Sequence, residues 1–146
     1  MPFFRSTTVE MRAEYAVVFA YSRCKDNFRR PNGWLRKIPA PFADADLGAA
    51  VLEAATHSRD DMEVPEGPPD RPIIKSLGFK SRRAYLDRQI SLDLIWNVDG
   101  KILDVTPTKN TGKGFEYLSP AIKLDLGQLS VEELGAAIRD AFKYSS

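Results

Sequence analysis

The sequence has 146 residues, 43% hydrophobic and 28% charged, with a formal net charge of +1. This is the profile of one soluble globular domain long enough to bury a core; near-neutrality argues against a dedicated nucleic-acid binder, which is normally basic. A single cysteine, Cys24, and a single histidine, His57, exclude a disulfide framework and a His/Cys zinc site.

Residues 1–5 lack the long apolar run of a signal peptide, and no window approaches the roughly 18 apolar residues of a membrane span. A cytoplasmic location is expected. Residues 14–21, EYAVVFAY, are dense in β-branched and aromatic types and predict a strand buried on both faces. Arg29-Arg30-Pro31-Asn32-Gly33 reads as a turn, and residues 34–38 as a short strand closed by Pro39 and Pro41. Eight cations in residues 1–43 face three acids there; they balance the acidic segment that follows within one domain.

Asp44 or Asp46 is placed to cap a helix over 46–57, where Leu47, Val51, Leu52 and Ala55 fall at helical spacing. Residues 58–72 contain four prolines, a glycine and five carboxylates without periodicity, and predict an exposed loop. Ser81 is a candidate N-cap for a short helix over 81–88, with Tyr85 and Leu86 facing inward. In 90–98, Ile90, Leu92, Leu94, Trp96 and Val98 alternate with mainly polar residues; Asp99-Gly100 follows, then a second run over 101–106. Asp-Gly between two such runs is a type I′ hairpin signature. A two-residue loop pairs Val98 with Lys101, Trp96 with Leu103 and Leu94 with Val105, each pair on one sheet face. Pro107 is expected to end the second strand, with a polar loop over 108–114. Residues 121–126 alternate again and predict a strand. Ser130-Val131-Glu132-Glu133 is a capping box opening a closing helix over 131–143. The expected fold is α+β: a single domain over 1–146, mainly antiparallel sheet containing the 90–98/101–106 hairpin, packed by helices near 46–57, 81–88 and 131–143.

No catalytic set is found. Thr111-Gly112-Lys113-Gly114 lacks the longer glycine frame and following helix of a phosphate-binding loop. His57, Ser58 and Asp60 are too close in sequence to form a triad and have no nucleophile elbow. Asp60, Asp61 and Glu63 lack the frame of a calcium loop. No cofactor and no metal is expected. The conspicuous feature is charge sorting: between Asp44 and Asp70 lie eight carboxylates and one cation, Arg59. Sorted charge steers encounters with an oppositely charged partner.

The ordered set Leu47-Gly48-x-Ala50-x-Leu52-x-Ala54, Ser58-Arg59, Leu77-Gly78-x-Lys80-Ser81, Gly100, Ile102, Pro107-Thr108 and Glu132-Glu133-Leu134-Gly135-Ala136-Ala137-Ile138 resembles the CdiI-type immunity proteins of bacterial contact-dependent growth inhibition (CDI). It covers about two-thirds of the chain; the stretches between Arg59 and Leu77 and after Thr108 do not match. The resemblance implies a cytoplasmic protein, not an enzyme. It would bind and neutralise a cognate CDI toxin C-terminal domain, often a nuclease, by one-to-one occlusion, with no direct nucleic-acid or membrane partner. The expected toxin-binding residues are Asp60, Asp61, Glu63, Glu66 and Asp70, and secondarily Lys109, Asn110, Lys113 and Tyr117. The alternative is a small-ligand or nucleotide-processing enzyme using the glycine-containing loop 111–114.

Overall fold

The computed structural model describes residues 2–118 and 120–146. Its centre is an antiparallel sheet of β1 (Ser6–Met11), β2 (Tyr15–Arg23), β3 (Arg29–Pro39), β4 (Ile90–Trp96), β5 (Ile102–Asn110), β6 (Phe115–Tyr117) and β7 (Ile122–Asp125). The strand order is β3-β2-β1-β4-β5-β6, and β7 pairs with the first half of β5 while β6 pairs with its last residues. Helices α1 (Asp44–His57) and α4 (Val131–Ala141) cover one face, and α2 (Arg71–Ser76) and α3 (Arg82–Leu86) cover the other.

The first face holds the larger core. Val9, Val18, Leu92, Leu94, Trp96, Leu103 and Val105 are buried against Leu47, Val51, Leu134 and Ile138. Trp96 pairs with Leu103 and Leu94 with Val105, as the alternation requires. On the second face Val17 and Phe19 pack against Ile73, Tyr85 and Leu86. One helix on each face starts at a locally encoded cap. Ser130 Oγ accepts from the Glu133 amide, and the Glu133 carboxylate accepts from the Ser130 amide. Ser81 Oγ accepts from the Ala84 amide.

Several expectations are corrected. The central strand β1 has no counterpart among the predicted elements. Residues 29–33 are not a turn but the start of β3: the β2–β3 pairing shifts between Phe19 and Tyr21, and Gly33, at φ +96, sits in the resulting bulge. Asn32 holds that bulge by donating to Ser22 Oγ and the His57 carbonyl. The turn lies earlier, where the Asn27 amide donates to the Cys24 carbonyl and Asn27 has φ +71. The 96–103 connection is not type I′, which needs positive φ at both central residues. Only Gly100, at φ +75, adopts it, and the Gly100 amide closes back on the Asn97 carbonyl. Pro107 does not end β5, which continues to Asn110 because β6 pairs with its last three residues. The end of the proline-rich segment forms α2, with Pro72 in the first turn, where a missing N–H costs nothing. At the start of α1 neither Asp44 nor Asp46 is the N-cap residue; Ala43 is, and Asp46 accepts its amide.

Candidate functional site

Antiparallel pairing decides which side chains share a face. Thr8 lies opposite Phe19 on β2 and Asp93 on β4, and Glu10 lies opposite Val17 and Ser91. Glu10 and Asp93 are therefore diagonal neighbours on adjacent strands, about 7–8 Å apart at the backbone. Both project toward α2 and α3. These helices are short and do not close over this part of the sheet. They leave a cavity of about 250 Å³ lined by Thr8, Glu10, Tyr21, Tyr85, Ser91, Asp93 and Tyr117, with Asp70, Arg82 and Gly114 among the other lining residues.

The floor is electrostatically unusual. Glu10 is 2% exposed. Its carboxylate accepts the Tyr85 hydroxyl, and Gln89 Nε2 donates to Glu10 Oε1 at 2.6 Å. Burial nevertheless dominates and raises its pKa from 4.5 to about 7; Tyr85, Gln89 and the Arg12 charge pull the other way. Burial likewise raises Asp93 from 3.8 to about 6, against the Arg29 charge and a hydrogen bond from Tyr117. The Tyr85 hydroxyl is pushed up, by burial first and then by the Glu10 charge. Gln89 Oε1 is buried with no hydrogen-bond partner among the described residues.

The rim gathers residues singled out from the sequence. Arg82 Nε donates to Asp70 Oδ2 at 2.7 Å, and its Nη1 donates to the Lys113 carbonyl at 2.6 Å. Asp70 and Lys113, distant in sequence, thus meet through one guanidinium. Tyr117 lies 72% exposed beside them. Asn110 serves the fold rather than the surface, because its side-chain amide donates to the Leu86 and Gln89 carbonyls. Lys109 is exposed on β5.

The other acidic residues lie along the β2–β3 hairpin, where Met62 forms a bridge to Cys24. Arg23 Nη2 lies 2.6 Å from Asp60 Oδ2, and Lys25 pairs with Glu63. The charge block is therefore partly neutralised within the fold, as Asp44 is by Arg139 and Glu53 by Arg36. Asp61, at φ +62, and Glu66 are exposed; among the described residues no ion pair holds either. The 111–114 segment is a tight turn in which the Thr111 amide donates to the Gly114 carbonyl, and a strand follows, not a helix. It is not the frame of a phosphate cradle.

Sequence reasoning missed Glu10, Asp93, Tyr85 and Arg82. The available signal was β1 itself: Thr8 and Glu10 alternate with Val9 and Met11. Among the described residues no helix is long and apolar enough to cross a membrane.

A family model described as "CdiI: CDI immunity protein" matches residues 5–145. No curated protein matches the chain. Among solved structures, a Neisseria meningitidis protein of unknown function, NMB0488, is similar with a TM-score of 0.78 at 18% identity, covering 100% of this chain and 98% of that one. A CdiA-CT/CdiI toxin and immunity complex from Yersinia pseudotuberculosis is similar with a TM-score of 0.74 at 19% identity, covering 99% and 98%.

Proposed function

The chain belongs to the CDI immunity protein (CdiI) family, and from that membership we propose that it binds the C-terminal toxin domain of a cognate CDI effector in the cytoplasm and blocks it, one to one and without turnover. The observation that carries this reading is the family match across almost the whole chain, 5–145. The structural likeness to a toxin and immunity complex supports the same fold.

The proposed contact face runs across the α2–α3 side of the sheet, from the acidic segment beside Cys24 at one end to the β5–β6 turn at the other, with the cavity rim of Asp70 and Gly114 between them. Asp61, Glu66, Lys113 and Tyr117 are exposed there and open to a partner. Asp60, Glu63 and Asp70 present carboxylates already held by Arg23, Lys25 and Arg82; they would contribute orientation more than net charge. An acidic rim suits a cationic toxin surface, as on a nuclease that grips a phosphate backbone. Occlusion then follows from steric cover, with a few apolar anchors such as Tyr117 adding affinity.

The test is co-expression in bacteria with the cognate CDI toxin domain. Growth is restored if the reading is right, and the toxin kills regardless of this chain if it is wrong.

A further inference from the structure

The cavity beneath α2 and α3 is built for a guest. It is walled by the carboxylates of Glu10 and Asp93 and by the hydroxyls of Thr8, Tyr21 and Tyr117. A buried carboxylate is costly without a cation. Among the described residues no salt bridge reaches either acid. Arg29 acts on Asp93 through its charge without forming a salt bridge among the described residues, and two other nearby cations are turned elsewhere. Arg82 is engaged at the rim by Asp70 and the Lys113 carbonyl. Arg12 donates to the Ala84 and Tyr85 carbonyls and lies 4.4 Å from the centre of the Phe79 ring.

On the reading that this chain binds a toxin domain, we infer that the cavity receives one lysine or arginine side chain of that domain, which passes Tyr117 and Arg82 and pairs with Asp93 and then Glu10. The size fits. At about 30 Å³ per water, a cavity of about 250 Å³ holds several waters or the end of one long side chain. The chemistry also favours an organic cation over a metal ion. Two carboxylates fall short of the six or more oxygen ligands a hard cation takes, and no group of three His, Cys, Asp or Glu gathers among the described residues.

The inference has a proton signature. Around Glu10 stand Arg12, Asp70, Tyr85 and Gln89, and around Asp93 stand Arg29 and Tyr117. In the free protein burial keeps Glu10 largely protonated near pH 6. An arriving ammonium or guanidinium favours the ionised form, so the complex forms with release of a proton to the buffer.

The experiment is calorimetric titration of the full chain with the purified toxin domain at pH 6, in two buffers of different ionisation enthalpy. It is repeated for Asp93→Asn and Glu10→Gln, with circular dichroism to confirm the fold. The parent should release roughly one to one and a half protons on binding, most from Glu10 and the rest from Asp93, and each variant should bind at least tenfold more weakly. Glu10→Gln should release fewer protons. Asp93→Asn, at a position less buried than Glu10, carries the test if Glu10→Gln does not fold. A double-mutant cycle of Asp93→Asn against alanine replacements of the toxin's lysines and arginines should couple at one position. Parent affinity in the variants, or additivity at every toxin cation, overturns the inference and leaves the immunity reading standing. A parent that forms no complex overturns both.

Discussion

Gly48 and Gly135 meet where α1 crosses α4, and neither has room for a methyl group. A Cβ on Gly48 would overlap the Val131 carbonyl oxygen and lie 3.1 Å from the Gly135 nitrogen; one on Gly135 would overlap the Asp44 carbonyl oxygen. The obstacle in each case is helix backbone, which cannot swing aside as a side chain can. Close approach brings Leu47 and Leu134, the neighbours of the two glycines, into the main core.

Gly135→Ala and Gly48→Ala are therefore expected to destabilise the domain, although alanine is the better helix former by up to about 1 kcal/mol. Overpacking costs typically about 1–3 kcal/mol, and here it falls on backbone, so the net loss should be about 1–2 kcal/mol or more. Urea midpoints measure it. An alanine variant as stable as the parent would show that the helices separate freely.

Glu10 sets a pH dependence. Its pKa in the folded chain, about 7, lies above the ordinary 4.5. The folded state holds the proton more tightly, so stability falls as pH rises through that window. Asp93 acts in the same direction between 3.8 and about 6. Asp26, Asp60 and Glu133 are shifted down by Arg30, Arg23 and Ser130 respectively and act below the ordinary carboxylate range. Between pH 5 and 7 the Glu10 contribution should decline by about 2 kcal/mol, and Glu10→Gln should flatten that slope. Denaturation at both pH values decides it; parallel slopes in parent and variant would contradict it.

Gly100, at φ +75, has open space around it. Gly100→Val should thus cost about 1–3 kcal/mol from backbone strain alone, read as a lowered Tm. An unchanged melt would mean that the turn rearranges without penalty.

The two glycines of the helix crossing sit in the Leu47-Gly48 and Leu134-Gly135 pairs that carry the family resemblance, so that part of the fold was legible: residues that must be small are visible as such. The β4–β5 hairpin was legible because its core face is apolar at every second position. β1 was not. Its face toward α2 and α3 is Ser6, Thr8 and Glu10, which read as solvent-facing until the register shows that β2 and β4 bury them. The ion pairs were hidden for a related reason. Arg23 and Asp60 stand 37 residues apart, and no local pattern announces their contact. Asp70 and Lys113 both stand out in the sequence, yet only Arg82 shows that they border one cavity.

The internal pairs divide the acidic segment into two classes. Asp61→Lys with Glu66→Lys removes charge that no ion pair holds among the described residues. Glu66→Lys should change stability by no more than about 0.5 kcal/mol, Asp61→Lys should cost somewhat more because its φ of +62 suits Asp better than Lys, and together they should slow association with the toxin domain. Added salt should slow the parent more than the variant, because screening removes an attraction only the parent has. Asp60→Lys, in contrast, places a cation against Arg23 and should also lower stability. Stopped-flow rates at two ionic strengths check this; equal rates and salt slopes would move the interface away from residues 61–66.

The most direct test is titration of the purified chain into an assay of the cognate toxin domain's activity. Activity should fall linearly with added chain and vanish at one equivalent. A toxin that remains fully active in the presence of excess chain would contradict it.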